Sequence, residues 1–151
     1  MKFSTRTRYG LKAVLVLASR FGEGSVSVSQ IAKKEGLSVA YLEQILNALK
    51  KKGLVKSVRG PQGGYVLTKK PSEVRLDALL GILGNKNLLD LDGPLKVTPE
   101  TDETAIANVI FWKKFRSSVE QGLADMTLKG LIDEARRLKK SKAHAQYAFH
   151  I

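Results

Sequence analysis

The stretch LSVAYLEQILNALKKKGLVKSVRGPQGGYVL, residues 37–67, decides the fold. Ser38 belongs to the residue types that cap helix N-termini. Leu42, Ile45, Leu46 and Leu49 behind it repeat at the spacing of one helix face, and Gly53 closes that helix. Leu54–Arg59 and Tyr65–Thr68 then read as strands, with Gly60-Pro61-Gln62-Gly63-Gly64 as the turn between them. That predicts a β-hairpin of about five to six residues a side. Upstream, Ser27 stands three residues before Gln30, the spacing of a capping box, and Ile31 and Ala32 follow on one face. This short helix should stop at Gly36. Two helices joined by Glu35-Gly36-Leu37-Ser38 make a helix-turn-helix, and a hairpin directly after it makes a winged helix.

Working outward, Thr5 to about Phe21 reads as a helix, with Leu11, Val14, Leu15, Ala18 and Phe21 at helical spacing before the break Gly22-Glu23-Gly24. Past the hairpin, Asp77–Leu83 reads as a short apolar helix and 84–100 as a loop containing Asp90, Asp92, Gly93 and Pro94. A long helix begins around Thr101 and runs to about Gly122. Thr127 caps a last helix through Leu131, Ile132, Ala135 and Leu138. Arg136, Arg137, Lys139, Lys140 and Lys142 lead into a basic tail over 139–151 that should fray. The expected fold class is therefore mainly α with a small β-hairpin wing, the winged helix-turn-helix occupying 1–83. No internal repeat is present.

Composition narrows the function. The chain has 151 residues with 26 Lys+Arg against 14 Asp+Glu, a formal charge of +12. Residues 1–75 hold 15 Lys+Arg and 4 Asp+Glu, so nearly the whole excess lies in the first half. Such a one-sided surplus is the electrostatic footprint for a polyanion, a nucleic acid or an anionic surface. There is no cysteine, which excludes a disulfide scaffold, a thiolate zinc site, a Cys nucleophile and a cysteine-held iron–sulfur cluster. The two histidines, His144 and His150, fall in the tail and form no metal site by themselves. With no nucleophile–base pair and no metal constellation, an enzyme is not expected. The N-terminus lacks the apolar run of a signal peptide, and no segment approaches the roughly 18 apolar residues of a membrane span, so a soluble intracellular chain is expected.

The segments RYGLKAVLVLA (8–18), YLEQIL (41–46) and GLVKSVRGPQGGY (53–65) resemble the IscR/NsrR/CymR family of bacterial winged-helix transcription regulators, the Rrf-two family. The resemblance is strong over 1–83 and weaker over Phe111-Trp112 and MTLKGLID (126–133). It implies a homodimer that binds partly palindromic double-stranded operator DNA, acts as a repressor and stays in the cytoplasm with the nucleoid. Two alternatives remain: a regulator whose DNA binding is controlled by a partner protein or a small-molecule effector, and a non-specific DNA-binding protein.

The second helix of such a motif enters the major groove with its N-terminal residues nearest the base edges. Here those are Ser38, Ala40, Tyr41, Glu43 and Gln44. Gln44 can pair bidentately with adenine and Glu43 can accept from cytosine N4; the alternative for both is a solvated helix face. Tyr41 either gives its hydroxyl to a phosphate or packs inward. Ala40 stands where the family often holds a polar contact residue, which alters operator preference. Arg59 on the wing suits a narrow A·T-rich minor groove. Gly60, Gly63 and Gly64 let the tip turn tightly, through positive φ or close approach, while Pro61 stiffens it beside Gln62. Lys56, Lys69 and Lys70 flank the wing. Ser4, Thr5, Arg6, Thr7 and Arg8 cap the first helix and are phosphate-contact candidates; Lys50, Lys51 and Lys52 read as solvated charge.

The resemblance assigns the long helix to dimerisation. Ile106, Val109, Ile110, Trp112, Phe115 and Val119 offer more apolar surface than one edge can bury, with packing inside the monomer as the alternative. Cluster-binding members carry three cysteines across the region that is 85–107 here. This chain has Leu88, Asp90, Leu91, Asp92, Thr98, Thr101, Asp102 and Glu103 there, so no iron–sulfur cofactor is expected. Asp90, Asp92, Glu100, Asp102 and Glu103 read as a solvated acidic loop rather than as a site for a hard cation.

Overall fold

A computed structural model describes residues 3–84 and 96–141. Leu88, Asp90, Leu91, Asp92, Gly93, Pro94, Lys142, His144 and His150 lie outside the described residues. Helices α1 (Thr5–Ser19), α2 (Val28–Glu35) and α3 (Val39–Lys51) lead into strands β1 (Val55–Val58) and β2 (Gly64–Leu67). A 3-10 turn, Pro71–Glu73, and helix α4 (Leu76–Ile82) follow, and after them α5 (Glu103–Ala124) and α6 (Leu128–Lys140). The protein is mainly helical with one antiparallel hairpin, a winged helix extended by two C-terminal helices.

The helix boundaries follow their capping chemistry. Ser4 caps α1, its Oγ accepting from the Thr7 amide at 3.2 Å. The helix stops at Ser19, short of Phe21, because the Arg20 and Phe21 amides turn back to Leu17 O and Ala18 O. Phe21 is therefore outside α1 and 43% exposed, not part of its buried stripe. Ser27 and Gln30 close the expected capping box on α2. Gly36, at φ +66°, ends that helix in the left-handed region that favours glycine. Ser38 caps α3. Helix α4 begins at Leu76, and α5 runs from Glu103 to Ala124, within two residues of the sequence-based limits.

The hairpin pairs Val55 with Leu67 through Val58 with Gly64, four residues a side rather than five or six. One sheet contact was not foreseen. Val26 pairs with Tyr65 through two backbone bonds, Val26 N to Tyr65 O at 3.0 Å and Tyr65 N to Val26 O at 2.9 Å. The segment before α2 is thus fastened to the wing by a single bridge.

One core joins the winged helix. Ile31, Leu42, Ile45, Leu46, Leu49, Leu79 and Leu83 are fully buried in it, and Leu128 of α6 joins them. A second antiparallel bridge fastens this arrangement: Leu76 N donates to Met126 O at 3.0 Å and Leu128 N to Val74 O at 3.1 Å. The α5–α6 junction is thereby tied to the segment preceding α4. By contrast, α5 has no buried residue of its own.

Candidate nucleic-acid interface

The sequence candidates gather on three elements: the N-terminus of α1, the N-terminal half of α3, and the wing. At α3, Ser38 accepts from the Tyr41 amide at 3.4 Å, and no acidic residue occupies the first turn. The free amides and the helix dipole at this end favour a phosphate. Ala40, Glu43 and Gln44 are exposed, and Glu43 and Gln44 can reach out from the helix while Leu42, Ile45 and Leu46 anchor its other face. Tyr41 is different. Its ring is half-buried, packs against the core and meets Tyr9 edge-on at 5.8 Å, geometry that favours the packing alternative for its ring.

At α1, Arg6 and Arg8 are exposed and have no acidic partner among the described residues. Thr7 departs from the expectation of a surface contact: it is 1% exposed, its hydroxyl 3.0 Å from Ser4 Oγ, so it serves the cap and the core.

The wing tip is a four-residue turn closed by Gly63 N donating to Gly60 O at 2.9 Å, with Pro61 and Gln62 at its corners. Pro fits the first corner because its ring presets φ. Only Gly60 of the three tip glycines has positive φ, at +118°. Gly63 and Gly64 are needed for room: a Cβ on Gly64 would lie 2.2 Å from Val26 O, and one on Gly63 2.7 Å from Val58 O. Arg59 and Lys56 are exposed on the hairpin with no acidic partner among the described residues. In the same half, Glu23 and Glu35 are already engaged, by Arg20 at 3.1 Å and by Lys12 at 3.8 Å.

Three anchoring residues escaped the sequence reading. Lys50, read there as solvated charge, donates to Ser57 Oγ at 2.9 Å and so ties the end of α3 to the wing. Ser25 donates to Gln62 O at the tip, and Val26 pairs with Tyr65. The signal available was the polar–apolar alternation Ser25-Val26-Ser27, too short to read as a strand.

On α5, Trp112 and Phe115 pack edge-on at 5.9 Å, and Phe111 stacks on Phe115 at 6.2 Å. Ile106, Val109, Trp112, Phe115 and Val119 are only half-buried, while Ile110 is 47% and Phe111 57% exposed. Phe111 extends the apolar set expected from sequence.

Known proteins share the sequence and the fold. The profile of a family described as "Rrf2: Iron-dependent Transcriptional regulator" matches residues 3–134. The HTH-type transcriptional regulator CymR of Bacillus subtilis (strain 168) is 36% identical over 131 residues, 87% of this chain and 89% of its own length. IscR of Serratia proteamaculans (strain 568) is 42% identical over 80 residues, a match that spans about half of either chain. Among solved structures, T. potens IscR superposes with a TM-score of 0.75 at 35% identity, covering 97% of both chains. The structure of the B. subtilis global cysteine regulator CymR superposes with a TM-score of 0.74 at 34% identity, covering 89% of this chain and 98% of that one. These relatives are named as transcriptional regulators, not enzymes. The family description raises iron, and the donor set here does not fit a cysteine-held cluster, because the chain has no thiolate to offer. Among the described residues no three His, Cys, Asp or Glu side chains come together to hold a metal ion.

Proposed function

This chain belongs to the Rrf2 family of transcriptional regulators, and from that premise we propose that it is a homodimeric, sequence-specific repressor acting on a partly palindromic operator without an iron–sulfur cluster. The observation that carries the reading is the exposed charge of Arg6, Arg8, Lys56 and Arg59, without acidic partners among the described residues, together with an α3 N-terminus that the Tyr9–Tyr41 contact sets next to α1. In this reading residues 1–83 form the DNA-binding unit and 101–138 the dimerisation and terminal helices. Helix α3 enters the major groove; Gln44 addresses adenine and Glu43 cytosine N4. Ser38 and the free amides at the start of α3 receive a phosphate, and Ala40 lets the backbone come close. Arg59 enters the minor groove from the wing, where Gly60, Pro61, Gln62, Gly63 and Gly64 hold the tip close to the backbone. Ser4, Arg6 and Arg8 position the duplex through its phosphates.

The aromatic cluster on α5 supports pairing of two copies along that helix, through Ile106, Val109, Ile110, Trp112, Phe115 and Val119. An apolar strip this open, on a helix with no buried residue, is what an isologous two-fold interface covers. The repressor then works in the cytoplasm in association with the nucleoid; among the described residues no helix is long and apolar enough to cross a membrane.

Selection of bound fragments from genomic DNA tests the reading. A shared, partly palindromic site recovered by the wild-type protein is expected, and equal affinity for all sequences would overturn sequence specificity in favour of the non-specific alternative. Arg59→Ala should weaken binding to the recovered site; unchanged affinity removes the wing contact.

A further inference from the structure

The DNA-binding surface leaves unused a cleft of about 430 Å³ between the C-terminal end of α1, the Pro71–Glu73 turn and α6. Its volume falls within the range of about 300–1,000 Å³ that small-molecule sites occupy. Ala18, Phe21, Pro71 and Ile132 give it apolar walls, and Lys70 and Arg136 line it with positive charge. The other charges are already matched: Lys129 is paired with Asp133, and Glu23 with Arg20. Neither the Lys70 ammonium nor the Arg136 guanidinium forms an ion pair with a carboxylate among the described residues, while the Glu73 carboxylate accepts from the Lys70 backbone amide at 3.0 Å and Asp133 feels the charge of Arg136 across the same helix face. Arg136 is held in place by one bond, Nη2 donating to Ser19 O at 3.3 Å, which leaves the rest of its planar donor set available. Phe21, displaced from α1 by the turn at Arg20, exposes its ring at the same cleft.

We propose that this cleft binds a small organic anion, a carboxylate carrying an apolar ring or short chain, which Lys70 and Arg136 hold by its charge and Phe21 and Ile132 by its body. Lys70 lies on the segment leaving β2, and Arg136 lies on α6. A bound carboxylate therefore joins the base of the wing to the C-terminal helix and alters operator affinity. That coupling rests on the reading of the wing as a DNA contact; the binding itself does not.

Calorimetric titration of the full chain with phenylacetate and hexanoate, and with neutral phenylacetamide as control, tests the site. Saturable one-to-one binding of at least one acid is expected. Arg136→Gln or Lys70→Gln should weaken it about tenfold, the worth of one charge-assisted hydrogen bond, while Arg137→Gln, a cation on the same helix that does not line the cleft, should leave it unchanged. All three positions are exposed, so none of these variants threatens folding. No saturable heat from either acid, equal binding of the amide, or an equal loss in Arg137→Gln would overturn the site. Operator titrations with and without the bound acid read the coupling. An unchanged operator affinity with acid binding intact overturns the coupling alone, whereas failure to bind the operator without any acid counts against the DNA-binding reading and not against the cleft.

Discussion

At the scale of single residues, the wing tip depends on what its glycines lack. Gly64 faces the backbone carbonyl of Val26, which cannot move aside without breaking the Val26–Tyr65 pair. Gly64→Ala should therefore destabilise the protein by about 1–3 kcal/mol, the usual cost of overpacking, read as a lowered Tm. Asp77 is a second such point. The Arg75 guanidinium holds its carboxyl below the ordinary carboxylate range, with Arg75 Nε donating to Oδ1 at 3.1 Å and the Ala78 amide to the same atom at 2.8 Å. A carboxyl depressed on folding stabilises the protein above its unfolded-state pKa and loses that contribution as pH falls through the folded-state value. Asp77→Asn should thus lower Tm at neutral pH, and the gap to wild type should close under acid conditions; a gap that is constant with pH would refute the pair's role. The sequence pointed to the tip glycines but not to their separate duties, because positive φ and close backbone approach select the same residue.

At the scale of elements, α5 is the least self-sufficient part. Its 22 residues extend about 33 Å at 1.5 Å per residue, yet none is buried. Trp112→Ala should shift the protein from dimer to monomer in light scattering, with a cooperative melt retained because the core lies elsewhere; a fully dimeric variant would argue against pairing along α5. The caps of α2, α3 and α6 were legible from Ser27, Ser38 and Thr127, since a cap is a local hydrogen bond between near neighbours. The bridge between Val26 and Tyr65 and that between Val74–Leu76 and Met126–Leu128 were not. Each is one pair long, and its partner lies far along the chain, so no periodicity announces it. The end of α1 was misplaced for a related reason: Phe21 keeps the helical spacing after the backbone has already turned at Arg20.

At the scale of the whole molecule, the charge asymmetry read from sequence becomes a surface, because the acids that could compensate it are few and Glu23 and Glu35 are occupied. For the proposed dimer, about ten phosphate contacts would give a slope near −9 for log affinity against log salt. Arg6→Ala should reduce that slope by about one for each subunit, whereas Gln44→Ala should cost about 1–3 kcal/mol at the preferred base pair and relax discrimination there. Equal slopes for wild type and Arg6→Ala would remove Arg6 from the phosphate count. The bridge at Val74–Leu76 and Met126–Leu128 has one more consequence. Leu128 sits in the same core as Leu79 and Leu83, so α6 is held to the winged helix by packing and backbone bonds as well as by the chain between α4 and α5. A protein cleaved once between Gly84 and Lys96 should therefore behave as a two-fragment complement, its halves co-eluting and melting together until the core itself gives way.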